Sequence, residues 1–383
     1  MNTDAGQPRA LYVHFPFCTH RCHYCDFSVR RSADPPVGPW LAAIARDLDD
    51  WAAHSAVRSP IKLDSVYVGG GTPSLLGADG MNRLREVLDK RVALSESVEF
   101  TAEANPISFD AGTARAWRAA GVTRVSLGVQ SFADEPLKWL GRLHDAKGAA
   151  AAVEAALGAE FESVNVDMIF GLPAAIARDW EHEIRRVADL NVPHVSTYGL
   201  TAEPRTPLGR RVDRGQVRLA EEPAYEAEYL ASAAALEGVG LRQYEVSNFA
   251  LEGHESLHNW HYWERRSYLG AGPSAHSFLN PRRIWNVRSW DAYRSAAETG
   301  TTLREGSELL SPKQKRLEEI WLGLRTRRGL PRRDSAWAAD GAPANLDQWR
   351  EAGWLNEHED RIVLTPAGWL RLDALVAELE MKI

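Results

Sequence analysis

From Leu11 to about Leu200, short apolar runs alternate with helix-length segments, the pattern of repeated βα units that build a parallel sheet. Leu11–Phe17 predicts the first strand and Trp40–Trp51 the first long helix. Leu63–Val68 predicts a second strand running into Gly69-Gly70-Gly71-Thr72-Pro73, and Met81–Lys90 carries helical periodicity. Val98–Ala104 predicts strand three before Asn105-Pro106, and a helix follows near Asp110–Ala120. Gly121 then breaks the chain ahead of strand four, Arg124–Val129, which ends at Gln130. Lys147–Leu157 predicts a helix, Val164–Phe170 strand five closed by Gly171-Leu172-Pro173, Arg178–Leu190 a helix and His194–Leu200 strand six. Six units at this spacing predict a barrel or partial barrel, with a flatter doubly wound sheet as the other arrangement.

Polar residues interrupt these strands near their C-terminal ends: Cys18, Gly69 to Thr72, Glu103, Gln130 and Tyr198, with Asp167 inside strand five. In a βα barrel that end carries the active site, so these residues are expected at one mouth. Each alone reads as a loop residue or cap; their agreement across successive strands is what points to a site.

Beyond Leu200 the alternation weakens. Glu222–Leu236 reads as a helix and Leu241–Phe249 as a further strand carrying Gln243 and Glu245. His254–Tyr293 reads as loop-rich and aromatic. Ser311-Pro312 opens a helix to about Arg325, Asp347–Glu351 is a shorter one, and Asp360–Leu364 leads into a terminal helix Pro366–Met381. The division expected is 1–250 for the barrel, 251–305 for an aromatic-rich connecting region, and 306–383 for a mainly helical, winged-helix-like domain. Arg325 to Arg333 forms a basic loop that reads as a solvated face.

The length of 383 residues suits one large and one smaller domain. A hydrophobic fraction of 44% and a charged fraction of 25% fit an ordinary globular chain. The net charge of -7 gives no global reason to expect nucleic acid as a partner. Met1 to Ala10 is too short and polar for a secretory leader, and no apolar run reaches the ~18 residues of a membrane span, so a cytoplasmic location is expected. The 14 tryptophans read first as core, with a flat apolar ligand as the other use.

The chemistry concentrates in Cys18, Cys22 and Cys25, the only three cysteines, spaced C-x3-C-x2-C. A structural zinc would take a fourth ligand from His14, His20 or His23. A 4Fe-4S cluster on three cysteines would instead leave one iron open to an exogenous ligand, which is useful where S-adenosylmethionine must receive an electron. Reduced thiols without metal are the third reading.

The spacing, with Tyr24 before the last cysteine, resembles the radical-SAM superfamily. Gly69 to Pro73 lacks both the Gly-Lys-Ser/Thr of a phosphate loop and a G-x-G-x-x-G pattern. The resemblance instead gives Gly70, Gly71 and Thr72 the role of holding the methionine amino group beside the open iron. Tyr12-Val13-His14, Cys25-Asp26-Phe27, Glu103-Ala104-Asn105-Pro106, Gly128 to Phe132, Gly141 to His144, Asn165 to Pro173 and Gln243 to Phe249 resemble the oxygen-independent coproporphyrinogen III oxidase group. That likeness implies that Tyr12, Glu103, Gln130, Arg142 and Asp167 line the S-adenosylmethionine pocket. Asp167 would accept from ribose hydroxyls and Arg142 would pair with the methionine carboxylate.

Three departures separate the chain from the oxidase. Phe27 stands where the oxidase carries a fourth cysteine, the N-terminal extension is short, and His258-Asn259-Trp260-His261-Tyr262-Trp263 resembles the motif of the sister family, the radical-SAM haem chaperones. The resemblance implies a protein that binds haem, hands it to acceptors among respiratory, membrane-associated haemoproteins, and forms a homodimer. His258 is the candidate haem ligand, since a neutral imidazole can ligate haem iron, and His276 is a second. Two enzymatic readings stand beside it: oxidative decarboxylation of coproporphyrinogen III, and radical-SAM methylation of haem or another aromatic.

Overall fold

The computed structural model describes residues 6–332, 345–356, 358 and 360–380. Its main sheet has twelve strands. They are β1 (Ala10–Phe15), β2 (Ile61–Gly70), β3 (Val92–Ala104), β4 (Arg124–Gln130), β5 (Ser163–Phe170), β6 (His194–Gly199), β7 (Arg242–Gln243), β8 (Asn248–Ala250), β9 (Tyr268–Ala271), β10 (His276–Leu279), β11 (Arg282–Asn286) and β12 (Arg304–Leu309). The spatial order is β12-β11-β10-β9-β1-β2-β3-β4-β5-β6-β8-β7. β1 to β6 run parallel, β9 joins β1 in parallel, and the strands outside them are antiparallel. The sheet has two ends and does not close, which makes the six βα units a partial barrel, as the alternation predicted.

The parallel strands bury both faces, and the two faces carry different chemistry. On the outer face, Leu11, Val13, Val66, Val68, Phe100, Val125, Leu127, Val164 and Val166 pack under the helices, with Trp40, Trp51, Trp117 and Trp180 filling the layer between. Those tryptophans are therefore core, their indole N-H groups donating to backbone carbonyls: Trp40 to His14 at 3.0 Å and Trp51 to Gly270 at 3.1 Å. The inner face is polar, with Glu103 beside Ser126, Ser126 beside Asn165, and Asp167 beside Ser196. The helix Leu257–Trp263 packs against β2 and closes this polar interior from one side.

A second core, formed by Ile320, Leu324, Trp349, Trp369 and Leu375, belongs to the C-terminal module. There a three-stranded sheet of Leu330–Pro331, Arg361–Leu364 and Leu355–Asn356 packs with helices Pro312–Leu324, Asn345–Glu351 and Leu372–Glu380. Ser311 and Gln314 cap the first of these reciprocally. The module is tied to the sheet by the buried Glu245, which pairs with Arg325 at 2.8 Å.

Some elements depart from the sequence reading. His254–Tyr293 is not loop-rich: it supplies a helix and β9 to β11, strands of four or five residues whose arginines and aromatics alternate too briefly to show a period. Leu241–Phe249 is a hairpin of β7 and β8, because the Glu245 carboxylate accepts from Ser247 N-H and Asn248 Nδ2 and turns the chain back. Pro366–Met381 divides into Pro366–Trp369 and Leu372–Glu380, with Met381 outside the described residues, as is Arg333 of the basic loop.

One buried charge organises the antiparallel end. Asp47, on helix Val37–Ala52, meets Arg304 Nη1 at 2.6 Å and accepts from Tyr293 OH at 2.5 Å, Asn286 Nδ2 at 2.8 Å and Gly272 N-H at 3.0 Å. Removing it strands a cation and several donors in the interior. Asp47→Ala is expected to lower stability by about 3–5 kcal/mol in urea unfolding, and a loss below ~1 kcal/mol would contradict this account of the network.

Candidate functional site

The cysteines sit on the loop that leaves β1. Phe17–Cys18 pairs in parallel with Arg30–Arg31, and His23 anchors the loop's middle: its N-H reaches Leu140 O at 3.2 Å, and its ring nitrogen Nδ1 reaches Trp139 O at 3.1 Å. Tyr24 packs with Leu140, Ile169, Leu172, Leu200 and Leu208. Cys18 is buried and Cys22 and Cys25 are half-buried, all three as free thiols. Thr72 Oγ1 donates to Cys18 Sγ at 3.2 Å, and Arg142 Nη1 lies 3.6 Å from Cys22 Sγ.

Whether this donor set fits an iron–sulfur cluster can be tested on its surroundings. Burial, and the neighbouring Cys25 and Cys22, push the Cys18 thiol up to about 11 against the hydroxyl of Thr72. Burial likewise raises Cys25. Three neighbouring thiols flanked by a hydroxyl donor and a guanidinium suit metal-bound sulfur, because coordination removes the protons, including those that Cys18 and Cys25 hold by burial, and the donors then meet anionic sulfur. Among the described residues, no three Cys, His, Asp or Glu side chains converge on a single-ion geometry, so the fit rests on these donors and their neighbours.

The glycine turn lies directly against this loop. A Cβ on Gly70, whose φ is +113°, would stand 2.5 Å from the His14 ring, and one on Gly71 would stand 2.5 Å from Phe17 O. Only glycine permits that approach. The turn's N-H groups are already used: Gly70 donates to Glu103 Oε2 at 3.0 Å, Gly71 to Phe15 O at 2.7 Å and Thr72 to Phe17 O at 2.8 Å. A ligand at this turn would meet carbonyls, which suits an ammonium group and not a phosphate.

His14 joins the parts. Its Nε2 lies 2.9 Å from Ser28 O, which can only accept, so Nε2 carries the proton and Nδ1 accepts from Tyr12 OH at 3.0 Å. Burial holds this imidazole down at about 4, hence neutral. Inside the barrel Glu103 Oε1 accepts from Tyr67 OH at 2.8 Å, and Asp167 accepts from Asn165 Nδ2 at 2.7 Å and Ser126 Oγ at 3.1 Å. Burial raises Glu103 to about 7 against those two hydrogen bonds, and burial also raises Asp167. Gln130 adopts φ +70° at a register shift in β4, where irregular backbone re-aims a side chain. Arg142 Nη2 donates to Gly128 O at 2.6 Å beside it, while Arg142 Nε is buried without a hydrogen-bond partner among the described residues.

Tyr12, Tyr67, Glu103 and Asp167 are neighbours on the inner face, Gly70 joins them through its bond to Glu103, Thr72 contacts Cys18, and Gln130 and Arg142 both lie against Gly128. His258 does not join them. It is 1% exposed, with Nδ1 3.0 Å from Ser65 Oγ and Nε2 2.8 Å from Tyr262 OH. Both nitrogens are engaged, so in this structure the candidate ligand His258 links β2 to the helix Leu257–Trp263 and is not among the residues of the cleft described below. Glu99 holds that helix by accepting from the N-H groups of Leu257 at 2.8 Å and His258 at 2.9 Å.

A cleft of about 570 Å³ opens where the cysteine loop meets β10 and β11. Tyr12, Phe27, Tyr262, Tyr268, His276 and Trp285 are among its walls, with Arg205 and Arg288. Phe27 is 64% exposed. Sequence reasoning missed Tyr67, Ser126, Asn165 and the whole Trp285 wall. The inner-face residues carried a usable signal, polar side chains at every second position of β2, β4 and β5. Trp285 carried none, because its partner His276 lies nine positions away across a hairpin whose strands were not recognised.

The fold and site together define a radical-SAM protein, and comparison supports this: residues 12–187 match the Radical SAM superfamily and residues 310–371 the HemN C-terminal domain. The solved coproporphyrinogen III oxidase (HemN) from Escherichia coli shares the fold over 100% of this chain and 92% of its own, with TM-score 0.81 at 20% identity. Within the superfamily, the chain belongs to the heme chaperone HemW family. Heme chaperone HemW of Mycobacterium tuberculosis is 38% identical over 98% of this chain and 95% of its own length. That of Bacillus subtilis is 33% identical over 94% and 96%. Radical S-adenosyl methionine domain-containing protein 1 of Bos taurus is 34% identical over 99% and 88%.

Two outcomes follow from the geometry. Glu103 keeps its proton to about 7 in the folded chain, whereas its ordinary value is 4.5. Its favourable contribution to stability is therefore complete below the ordinary value and is lost as pH rises through about 7. Glu103→Gln is expected to flatten the fall in urea stability across that window; an unchanged slope would contradict the assignment. Gly70→Ala, blocked by the His14 ring and by its φ, is expected to cost more than ~1 kcal/mol in the same assay.

Proposed function

We propose that this chain is a haem chaperone: it binds haem and transfers it to acceptor haemoproteins, carrying a 4Fe-4S cluster on Cys18, Cys22 and Cys25. The observation that carries the reading is the aromatic cleft opening beside the cysteine loop, with Phe27 exposed at its edge and two arginines at hand. A planar macrocycle with an apolar face and carboxylate edge matches such walls.

A three-cysteine cluster supplies, when bound, an open iron and an electron for S-adenosylmethionine. This chain's residues would hold that molecule by complementary parts. The carbonyls of Gly70 and Gly71, with Thr72, receive the amino group, and Arg142, whose Nε has no partner among the described residues, takes the carboxylate. Asp167 retains acceptor capacity beyond Asn165 and Ser126 for ribose hydroxyls, and Tyr12, Glu103 and Gln130 complete the polar wall. Thr72 and Arg142 donate to the ligating sulfurs and tune them. Its acceptors are read as respiratory, membrane-associated haemoproteins and its working form as a pair of chains; no helix among the described residues is long and apolar enough to cross a membrane.

The test is anaerobic reconstitution with iron and sulfide, followed by haemin, S-adenosylmethionine and coproporphyrinogen. The expected outcome is about four iron per chain, a stoichiometric haem spectrum, and no decarboxylated or methylated product. Cys18→Ala is expected to lose the cluster's charge-transfer absorption while still binding haemin. Decarboxylated product would overturn the chaperone reading.

A further inference from the structure

We propose that His276 is the ligand to haem iron, with the macrocycle seated in the cleft between the cysteine loop and the β10–β11 hairpin and a propionate taken by Arg288. This deepens the haem-chaperone reading and rests on it.

The histidines of the molecule differ in what they can offer. Among the described residues, His14 and His276 are the histidines that line the cleft. Both nitrogens of His14 are engaged, by Tyr12 and Ser28. His258 is spent on Ser65 and Tyr262. His261 is buried near Arg266 and does not reach the cleft. His276 is exposed and its ring makes no hydrogen bond among the described residues, so a nitrogen is available at no cost in buried contacts. The side of the ring covered by Trp285 is shielded from water, and this partial burial first, with the Arg283 charge second, lowers it from the ordinary histidine value and favours the neutral form that can ligate iron.

The hairpin is built to hold this ring in place. His276 lies over Trp285 with ring centroids 6.1 Å apart and planes 25° from parallel. Trp285 in turn lies flat on Gly306, where a Cβ would come within 2.4 Å of the indole. On the backbone side, Gly270 packs against His276 O, which a Cβ there would meet at 2.3 Å, and Gly270 N-H donates to Ser277 Oγ at 2.8 Å. The preceding turn places Ser274, at φ +63°, on the cleft wall, and Gly272 of the same turn is fixed by Asp47 and packs on His14 O. A left-handed serine at a ligand wall is the kind of strain a binding site retains.

The rest of the cleft suits the other parts of haem. Phe27, Tyr262, Tyr268 and Trp285 offer aromatic surface to the ring. Arg288 is exposed and makes no ion pair among the described residues, while Arg205 is held at 3.2 Å by Asp26 and is the less available cation. Glu305 also lines the cleft and repels a propionate, which directs that edge towards Arg288.

The experiment is a haemin titration of the full-length chain, read by Soret position, electron paramagnetic resonance and affinity. Wild type is expected to show a histidine-ligated spectrum. His276→Ala is expected to lose that signature and bind at least tenfold more weakly, with an unshifted melting curve, and added imidazole is expected to restore the ligated spectrum. Arg288→Glu is expected to weaken binding while leaving the Soret position unchanged. If His276→Ala retains the wild-type spectrum and affinity, the ligand assignment is overturned and the chaperone reading stands; if wild type binds no haemin, both fall.

Discussion

The imidazole of His14 is the contact on which the arrangement depends. One nitrogen holds Ser28 at the end of the cysteine loop, the other holds Tyr12 on the barrel's inner face, and its ring fills the space that a side chain on Gly70 would need. Its backbone oxygen accepts from Trp40 of the outer helix and packs against Gly272 of the turn before β10. The cysteine loop, the glycine turn and the hairpin bearing His276 are thereby referenced to one buried, neutral ring. Because its tautomer is fixed by a carbonyl that can only accept, the reference does not change across ordinary pH.

From that point the two faces of the sheet divide the work. The outer face carries the hydrophobic stabilisation, with tryptophans that are satisfied by backbone carbonyls and so add rigidity without leaving polar atoms buried alone. The inner face is a polar network of carboxylates, hydroxyls and amides whose burial raises Glu103 and Asp167 towards protonation. A cationic or hydroxyl-rich ligand entering this interior meets acceptors already oriented by Tyr67, Asn165 and Ser126. The antiparallel strands β9 to β12 extend the sheet beyond this interior and add a second, aromatic surface beside it.

Much of this was legible in the sequence. The six βα units, the placement of Gly70 and Glu103 at the ends of neighbouring strands, and the helix opened by Ser311 follow from hydrophobic period, turn residues and capping chemistry, which are local signals. The antiparallel extension was not, since strands of four residues are fixed by the Asp47 network from a helix more than two hundred positions away. His258 shows the same limit at a single residue. Its aromatic neighbours suggested a planar ligand, yet they form a buried prop whose partners, Ser65 and Glu99, lie on strands far earlier in the chain. Only Tyr262 of that motif reaches the cleft.

The central claim is that the cluster site and the haem site are neighbours in one chain, joined by the loop from Cys18 to Phe27. The most direct measurement is the spin-lattice relaxation of ferric haem in protein loaded with both haemin and a cluster oxidised to its paramagnetic three-iron form, a state that coexists with ferric haem. Adjacent sites predict relaxation markedly faster than in Cys18→Ala protein loaded with haemin alone. Equal relaxation in the two samples, with both groups present at full occupancy in the first, would contradict the account.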